Sequence, residues 1–107
     1  ANLGDIGQHF PSDDKALKGS PSSYFLKKII EKMVRNNYQI VNIDSTIILQ
    51  KPMVRPHIIK IKKNLSALME IDENKVSVKA TTTDGLGFIG TSEGWSALAI
   101  STLTKKY

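Results

Sequence analysis

The chain contains no cysteine. Neither a disulfide framework nor a thiolate metal site can be built from it. Aromatic residues are scarce, with three Phe, three Tyr and one Trp among 107 residues, so the core must come mainly from Ile, Leu and Val. No apolar run approaches the roughly 18 residues that a spanning helix needs, which excludes a transmembrane segment and a membrane partner. The opening residues do not have the pattern of a signal peptide. Basic residues occur in scattered pairs, Lys27-Lys28, Lys62-Lys63 and Lys105-Lys106, never as a run interleaved with aromatics. That argues against a dedicated nucleic-acid surface. A net charge of +5 is left to two readings, a generic soluble surface or a small phosphorylated ligand.

What is present suits one α/β domain spanning residues 1–107, with 40% apolar and 23% charged residues. Lys79–Gly90 organises it. Val76, Val78 and Ala80 alternate with polar residues, as in a half-buried strand over 76–83. The strand runs into Thr81-Thr82-Thr83-Asp84 and then Gly85, Gly87 and Gly90. Threonine hydroxyls and glycine-loosened N–H groups donate well to phosphate oxygens, and an aspartate among them can hold a divalent cation. The plain alternative is a strand followed by a glycine turn. The Walker Lys-Ser/Thr and the dinucleotide spacing are both missing.

Residues 4–21 show no period and hold three glycines and two prolines around Ile6 and Phe10. Such a segment reads as an ordered binding loop. His9 reads as a surface or packing histidine, because no second ligand stands at a useful spacing. A helix runs from a cap at Ser22 or Ser23 to about Asn37, with Phe25, Leu26, Ile29, Ile30, Met33 and Val34 inward and Lys27–Glu31 paired on its wet face. A strand spans Tyr38 to Gln50, and Lys51–Pro56 leaves the sheet between two prolines. A second helix spans 57–71, with Ile58, Ile61, Leu65, Leu68 and Met69 inward, and a turn follows at 72–75. Residues 95–104 fit either period, and their β-branched content favours a buried strand. A strand–helix–strand unit normally has parallel strands. Loops 51–56 and 84–90 then leave one edge of the sheet, and loop 4–21, at the amino end of the first helix, joins them in one rim.

Four stretches together resemble the 2-C-methyl-D-erythritol 2,4-cyclodiphosphate synthase family. The signature is Lys79–Gly94, with Asp84 where the family has Glu and Thr91-Ser92 where it commonly has Arg-Gly. Gly4–Gly7, Phe10-Pro11, Asp14 and Lys18-Gly19 match a second stretch, from which Ser12 and Asp13 depart. Thr46–Gln50, Pro52, Pro56 and His57 match a third, and the terminal strand agrees with a fourth. The resemblance implies an α/β (α+β) fold, a mixed sheet covered by helices on one face, and a homotrimer with sites between subunits. It implies an enzyme, a phosphorus–oxygen lyase, that cyclises 4-diphosphocytidyl-2-C-methyl-D-erythritol 2-phosphate and releases CMP. It assigns Asp5 and Gly7 to the ribose, with Ile6 between them also substrate-binding, and Phe10, Pro11, Ser12, Asp13 and Asp14 to the methylerythritol phosphate. Loop 51–56 cups the cytosine, largely with backbone groups, Leu49, Met53, Val54 and Arg55 holding the base-contacting positions and Gln50, Lys51 and Pro52 counting among the substrate-binding residues. Thr82 stabilises the transition state, Thr81 and Thr83 line the diphosphate, Asp84 holds Mg²⁺ or Mn²⁺ against it, and Phe88 and Glu93 lie near the trimer axis.

The family also binds Zn²⁺ through an Asp-x-His near its amino terminus and a His on the helix before Gly-Asp-Ile-Gly. Neither is in this chain. Ala1-Asn2-Leu3-Gly4 reads as the end of a helix with Gly4 as its terminating residue, so an upstream segment carrying those ligands is expected. The rival from another class is a non-catalytic module that binds a cytidine nucleotide. A Lys/Asn/Ile-rich, cysteine-free chain suits a bacterial cytoplasm, or a plastid-type organelle after removal of a transit peptide.

Overall fold

The computed structural model describes residues 1–107. Contacts divide them into two compact units, Ala1–Gln39 with Leu103–Tyr107, and Ile40–Thr102. Three strands, β1 (Tyr38–Ile48), β2 (Val76–Thr81) and β3 (Ser96–Lys105), form one sheet in the order β2-β1-β3. β1 and β2 run parallel, with Ile43 opposite Val76 and Ile48 opposite Thr81. The Lys106 N–H donates to the Asn37 carbonyl at 2.6 Å, which puts the end of β3 beside the start of β1 and makes the sheet mixed.

In the larger unit, helix α3 (Ile58–Met69) packs on β2. Alternation buries Val76 and Val78 on one face of the strand, and Met69 of the helix is buried with them. Ser66 is buried too, and its hydroxyl donates to the Lys63 carbonyl at 2.9 Å, as a buried polar group must. Glu70 ends the helix in the left-handed region at φ 55°, with its N–H donating to Ala67 O and that of Ile71 to Ser66 O. A 3-10 turn at Arg55–His57 leads into α3, and Pro56 occupies its first positions, where a missing N–H costs nothing. A second 3-10 turn, Glu73–Lys75, leads into β2.

In the smaller unit, residues 4–21 carry more structure than their aperiodic sequence suggests. Helix α1 (Ile6–His9) is capped by the Asp5 carboxylate, which accepts from the Gln8 N–H at 2.9 Å. A 3-10 turn at Lys15–Leu17 is capped by Asp14, which accepts from the Ala16 N–H at 3.0 Å. Side-chain caps, not periodicity, define elements this short. Residues 1–5 form no element, although Gly4 has φ +88°. His9 Nε2 donates to the Leu3 carbonyl at 2.7 Å, in keeping with a packing histidine.

Helix α2 (Ser22–Arg35) corrects three expectations. Its cap is Pro21, without a side-chain bond, so Ser22 and Ser23 lie inside the first turn. The ion pair is Lys28–Glu31 at 3.3 Å, spaced i,i+3, in place of Lys27–Glu31. Met33 is buried, but Val34 is 59% exposed, at the end of the stripe. Phe25 meets Phe10 edge-on with centroids 4.9 Å apart. β3 forms where the β-branched content indicates, but it is not buried: Leu98 and Ile100 are 66% and 73% exposed. No helix is long and apolar enough to cross a membrane.

Candidate active site

The parallel register of β1 and β2 brings their carboxyl ends to the same edge. The ladder runs one step past Ile48–Thr81, where the Leu49 N–H donates to the Thr81 carbonyl at 3.0 Å. The two chains then part. After β1, residues 49–54 turn toward the 3-10 element, closed by His57 N–H to Val54 O at 2.8 Å. After β2, Asp84 and Gly85 take consecutive positive φ values of 54° and 79°, and the Leu86 N–H closes back on the Thr83 carbonyl at 3.0 Å. Glycine meets this demand without strain at one position, and Asp is among the few other residues that visit the region at the other. Glycine at 85 is what lets the turn reverse so sharply.

The three adjacent threonines are used differently. Thr81 Oγ1 donates to the Thr82 carbonyl at 3.1 Å, and Thr83 Oγ1 donates to the Leu86 carbonyl at 2.7 Å. Thr82 Oγ1 instead accepts, from the Asp84 N–H at 3.2 Å. Two hydroxyl protons are thus committed to the backbone, while that of Thr82 stays free to donate to a ligand. Gln50 spans the gap between the loops, its Oε1 accepting from the Gly85 N–H at 3.2 Å.

The structure gathers Leu49, Gln50, Met53, Val54, Arg55, Thr81 and Thr82 around one open hollow of about 370 Å³, with Ala80 also on its wall. Ala80 escapes a sequence reading because it looks like an ordinary strand residue. Lys51 and Pro52 line a second hollow of about 510 Å³, which shares Leu49, Met53 and Val54 and adds His57, Ile61 and Trp95. The one signal for that wall is Trp95, which follows Gly94 and is 65% exposed. Phe88 lies on the single turn α4 (Gly87–Gly90), 61% exposed, and its carbonyl accepts from the Glu93 N–H at 2.9 Å.

In the smaller unit Phe10, Pro11, Ser12, Asp13 and Asp14 line a hollow of about 320 Å³ together with Phe25, Lys15 and Lys18. Ser12 and Asp13 therefore both reach its wall. Asp5, Ile6 and Gly7 sit at the start of α1, where one oxygen of Asp5 is engaged in the cap and Ile6 is 65% exposed.

No three His, Asp or Glu side chains converge on a point that could hold a metal. The residues present do not fit zinc, which takes three or four nitrogen, sulfur or oxygen ligands from protein. Asp84 is exposed and its carboxylate enters no ion pair. A single free carboxylate fits a hard cation that keeps its waters and is shared with ligand phosphates.

The sequence matches the family model described as the YgbB family over residues 1–104. It is 47% identical over 105 residues to a 2-C-methyl-D-erythritol 2,4-cyclodiphosphate synthase of Clostridium perfringens, covering 98% of this chain and 67% of the relative. It is 50% identical over 103 residues to the enzyme of the same name from Lachnospira eligens, covering 96% and 56%. The chain thus spans between about half and two thirds of the length of these relatives. Among solved structures, the bifunctional IspDF from Campylobacter jejuni superposes with a TM-score of 0.89 at 34% identity, over 98% of this chain and 28% of that one. The Plasmodium falciparum IspF complex with CDP does so with a TM-score of 0.82 at 33% identity, over 96% and 61%. With a family match across nearly its whole length and the loop chemistry described above, the chain belongs to the YgbB family.

Proposed function

We propose that this chain is the nucleotide- and diphosphate-holding part of a 2-C-methyl-D-erythritol 2,4-cyclodiphosphate synthase. The observation that carries the reading is the hollow in which Leu49, Gln50, Met53, Val54 and Arg55 meet Thr81 and Thr82 at one sheet edge. The CDP complex of the Plasmodium falciparum relative supports a cytidine-linked ligand. In this reading loop 49–55 takes the base, largely through backbone groups, and loop 81–86 takes the diphosphate. The residues Phe10–Asp14 take the methylerythritol phosphate, and Asp5, Ile6 and Gly7 the ribose. Phe88 lies near the axis of a homotrimer whose subunits complete each other's sites.

The reaction is intramolecular. An oxygen of the substrate's 2-phosphate attacks the β-phosphorus, the bond from that phosphorus to the oxygen of CMP breaks, and CMP leaves with the electron pair. No protein nucleophile is required, so the chain's task is positioning and charge stabilisation. Thr82 donates its free hydroxyl proton to an equatorial oxygen as negative charge builds there. Asp84 would hold Mg²⁺ or Mn²⁺, which supplies charge neutralisation on the diphosphate. The family is metal-dependent; the residues present do not fit zinc, and no step is routed through it.

The test is calorimetric titration of the whole protein with CDP, with substrate turnover followed by phosphorus NMR. Saturable CDP binding and the joint appearance of CMP and a cyclic diphosphate are expected. CDP binding without turnover would reduce the protein to a nucleotide-binding module, and no CDP binding would overturn the reading.

A further inference from the structure

Where β1 and β2 separate, the backbone ladder ends at Leu49 N–H to Thr81 O. Beyond it the two loops have no further backbone bond to each other, yet both must hold one ligand. The single polar tie across the gap is Gln50 Oε1 to the Gly85 N–H, at 3.2 Å and 35 residues apart in sequence. Gly85 is the second residue of the left-handed pair that turns the threonine loop, and the first, Asp84, is held by its N–H on Thr82 Oγ1. A chain of bonds therefore runs from Gln50 through Gly85 and Asp84 to Thr82.

We infer that Gln50 is a positioning residue, coupling the loop that takes the base to the loop that takes the diphosphate. The geometry fixes which end of the amide does this. A backbone N–H needs an acceptor, so the side-chain oxygen faces Gly85, and the NH₂ is left toward the hollow that Gln50 shares with Thr82. The N–H groups of Asp84, Gly85 and Leu86 are all engaged within the protein, so what this turn offers an anion is the Thr82 hydroxyl. Holding the turn in place keeps the Thr82 hydroxyl set for the diphosphate before it arrives. Preorganisation of this kind raises affinity by removing an ordering cost from the binding step. Gln50 is half-buried and its bond lies at an open edge, so its removal leaves the core untouched.

This inference rests on the cytidine diphosphate reading of the site, and the test separates the two. The protein is compared with its Gln50→Leu, Gln50→Asn and Gln50→Glu variants by amide NMR of Gly85 and by titration with cytidine and with CDP. In Gln50→Leu the Gly85 amide is expected to lose its hydrogen-bonded shift and exchange faster, and the affinity gained from the diphosphate, taken as CDP over cytidine, to shrink about tenfold. Cytidine affinity is expected to fall less than CDP affinity does. Asn is one methylene too short and should behave like Leu. Glu offers an acceptor and should restore the Gly85 amide signature while repelling CDP. An unchanged Gly85 amide in Gln50→Leu overturns the inference whether or not nucleotide binds. Equal losses for cytidine and CDP also overturn it, because Gln50 would then serve the base loop alone. Failure of the parent protein to bind CDP, with the amide effect intact, would sink the ligand reading and leave the tie between loops standing.

Discussion

At Thr82 the hydroxyl is set apart from its neighbours by one hydrogen bond. Its oxygen accepts from the Asp84 N–H, whereas Thr81 and Thr83 give their protons to carbonyls. Replacing Thr82 by Ala should therefore lower the rate of CMP release by about 10²-fold, the scale seen for loss of one oxyanion donor. Melting should move little, because Thr82 is exposed. Thr82→Ser, which keeps the hydroxyl, should restore much of the rate in the same CMP assay. A Thr81→Ala variant as slow as Thr82→Ala would remove the distinction between them. Asp84 offers a second test. Asn also tolerates φ near 54°, so Asp84→Asn should keep the turn while losing the charge. Turnover of that variant should need a much higher Mg²⁺ or Mn²⁺ concentration, read from metal titrations of activity. The family resemblance singles out Thr82, but the residues by themselves could not, since three adjacent threonines have identical side chains and differ only in which backbone group each hydroxyl meets.

Among the elements, those with long periods were legible and those built from caps were not. The alternation of Val76 and Val78 gave β2, and the helical stripe ending at Met69 gave α3, because both patterns are imposed by burial on one face. The parallel direction of β1 and β2 followed from the strand–helix–strand order, and with it the departure of loops 51–56 and 84–90 from one edge, whereas the register is seen only in the structure. Helix α1 and the Lys15–Leu17 turn were missed because Asp5 and Asp14 define them by single local bonds. The Gln50–Gly85 tie was missed because it joins residues far apart in sequence. Two stability predictions belong here. Met69→Ala removes a buried side chain at the contact of α3 with the sheet and should cost about 2–5 kcal/mol in denaturant unfolding. Glu70 sits exposed at φ 55° where glycine is at ease, so Glu70→Gly should stabilise by about 1 kcal/mol. A lower melting temperature for Glu70→Gly would mean that its side chain does more than the backbone angle implies.

For the whole molecule, the decisive surface is β3. The sequence indicated a strand there and its apolar content indicated burial, but burial depends on what lies against the strand, which no pattern within the strand encodes. Leu98 and Ile100 alternate onto one face and are largely exposed, and β3 is an edge of its sheet. Long apolar edge strands invite pairing or covering, and within the single chain the buried apolar residues are few: Met33, Ile40, Met69, Val76 and Val78. The proposed trimer would supply a cover, if β3 of each copy packed toward the others and its apolar residues became interface. Sedimentation of the whole protein should then give three copies per particle. Ile100→Lys places a charge where the neighbouring copies would exclude water, and desolvating it without a partner costs several kcal/mol per copy. The variant should dissociate toward monomer and lose turnover with it, because sites shared between subunits come apart. A Lys60→Glu change, on an exposed position of α3, alters net charge without touching β3 and should leave the assembly intact. Should Ile100→Lys sediment as a trimer, β3 is not the interface, and its exposed face must be covered by some other part of the protein.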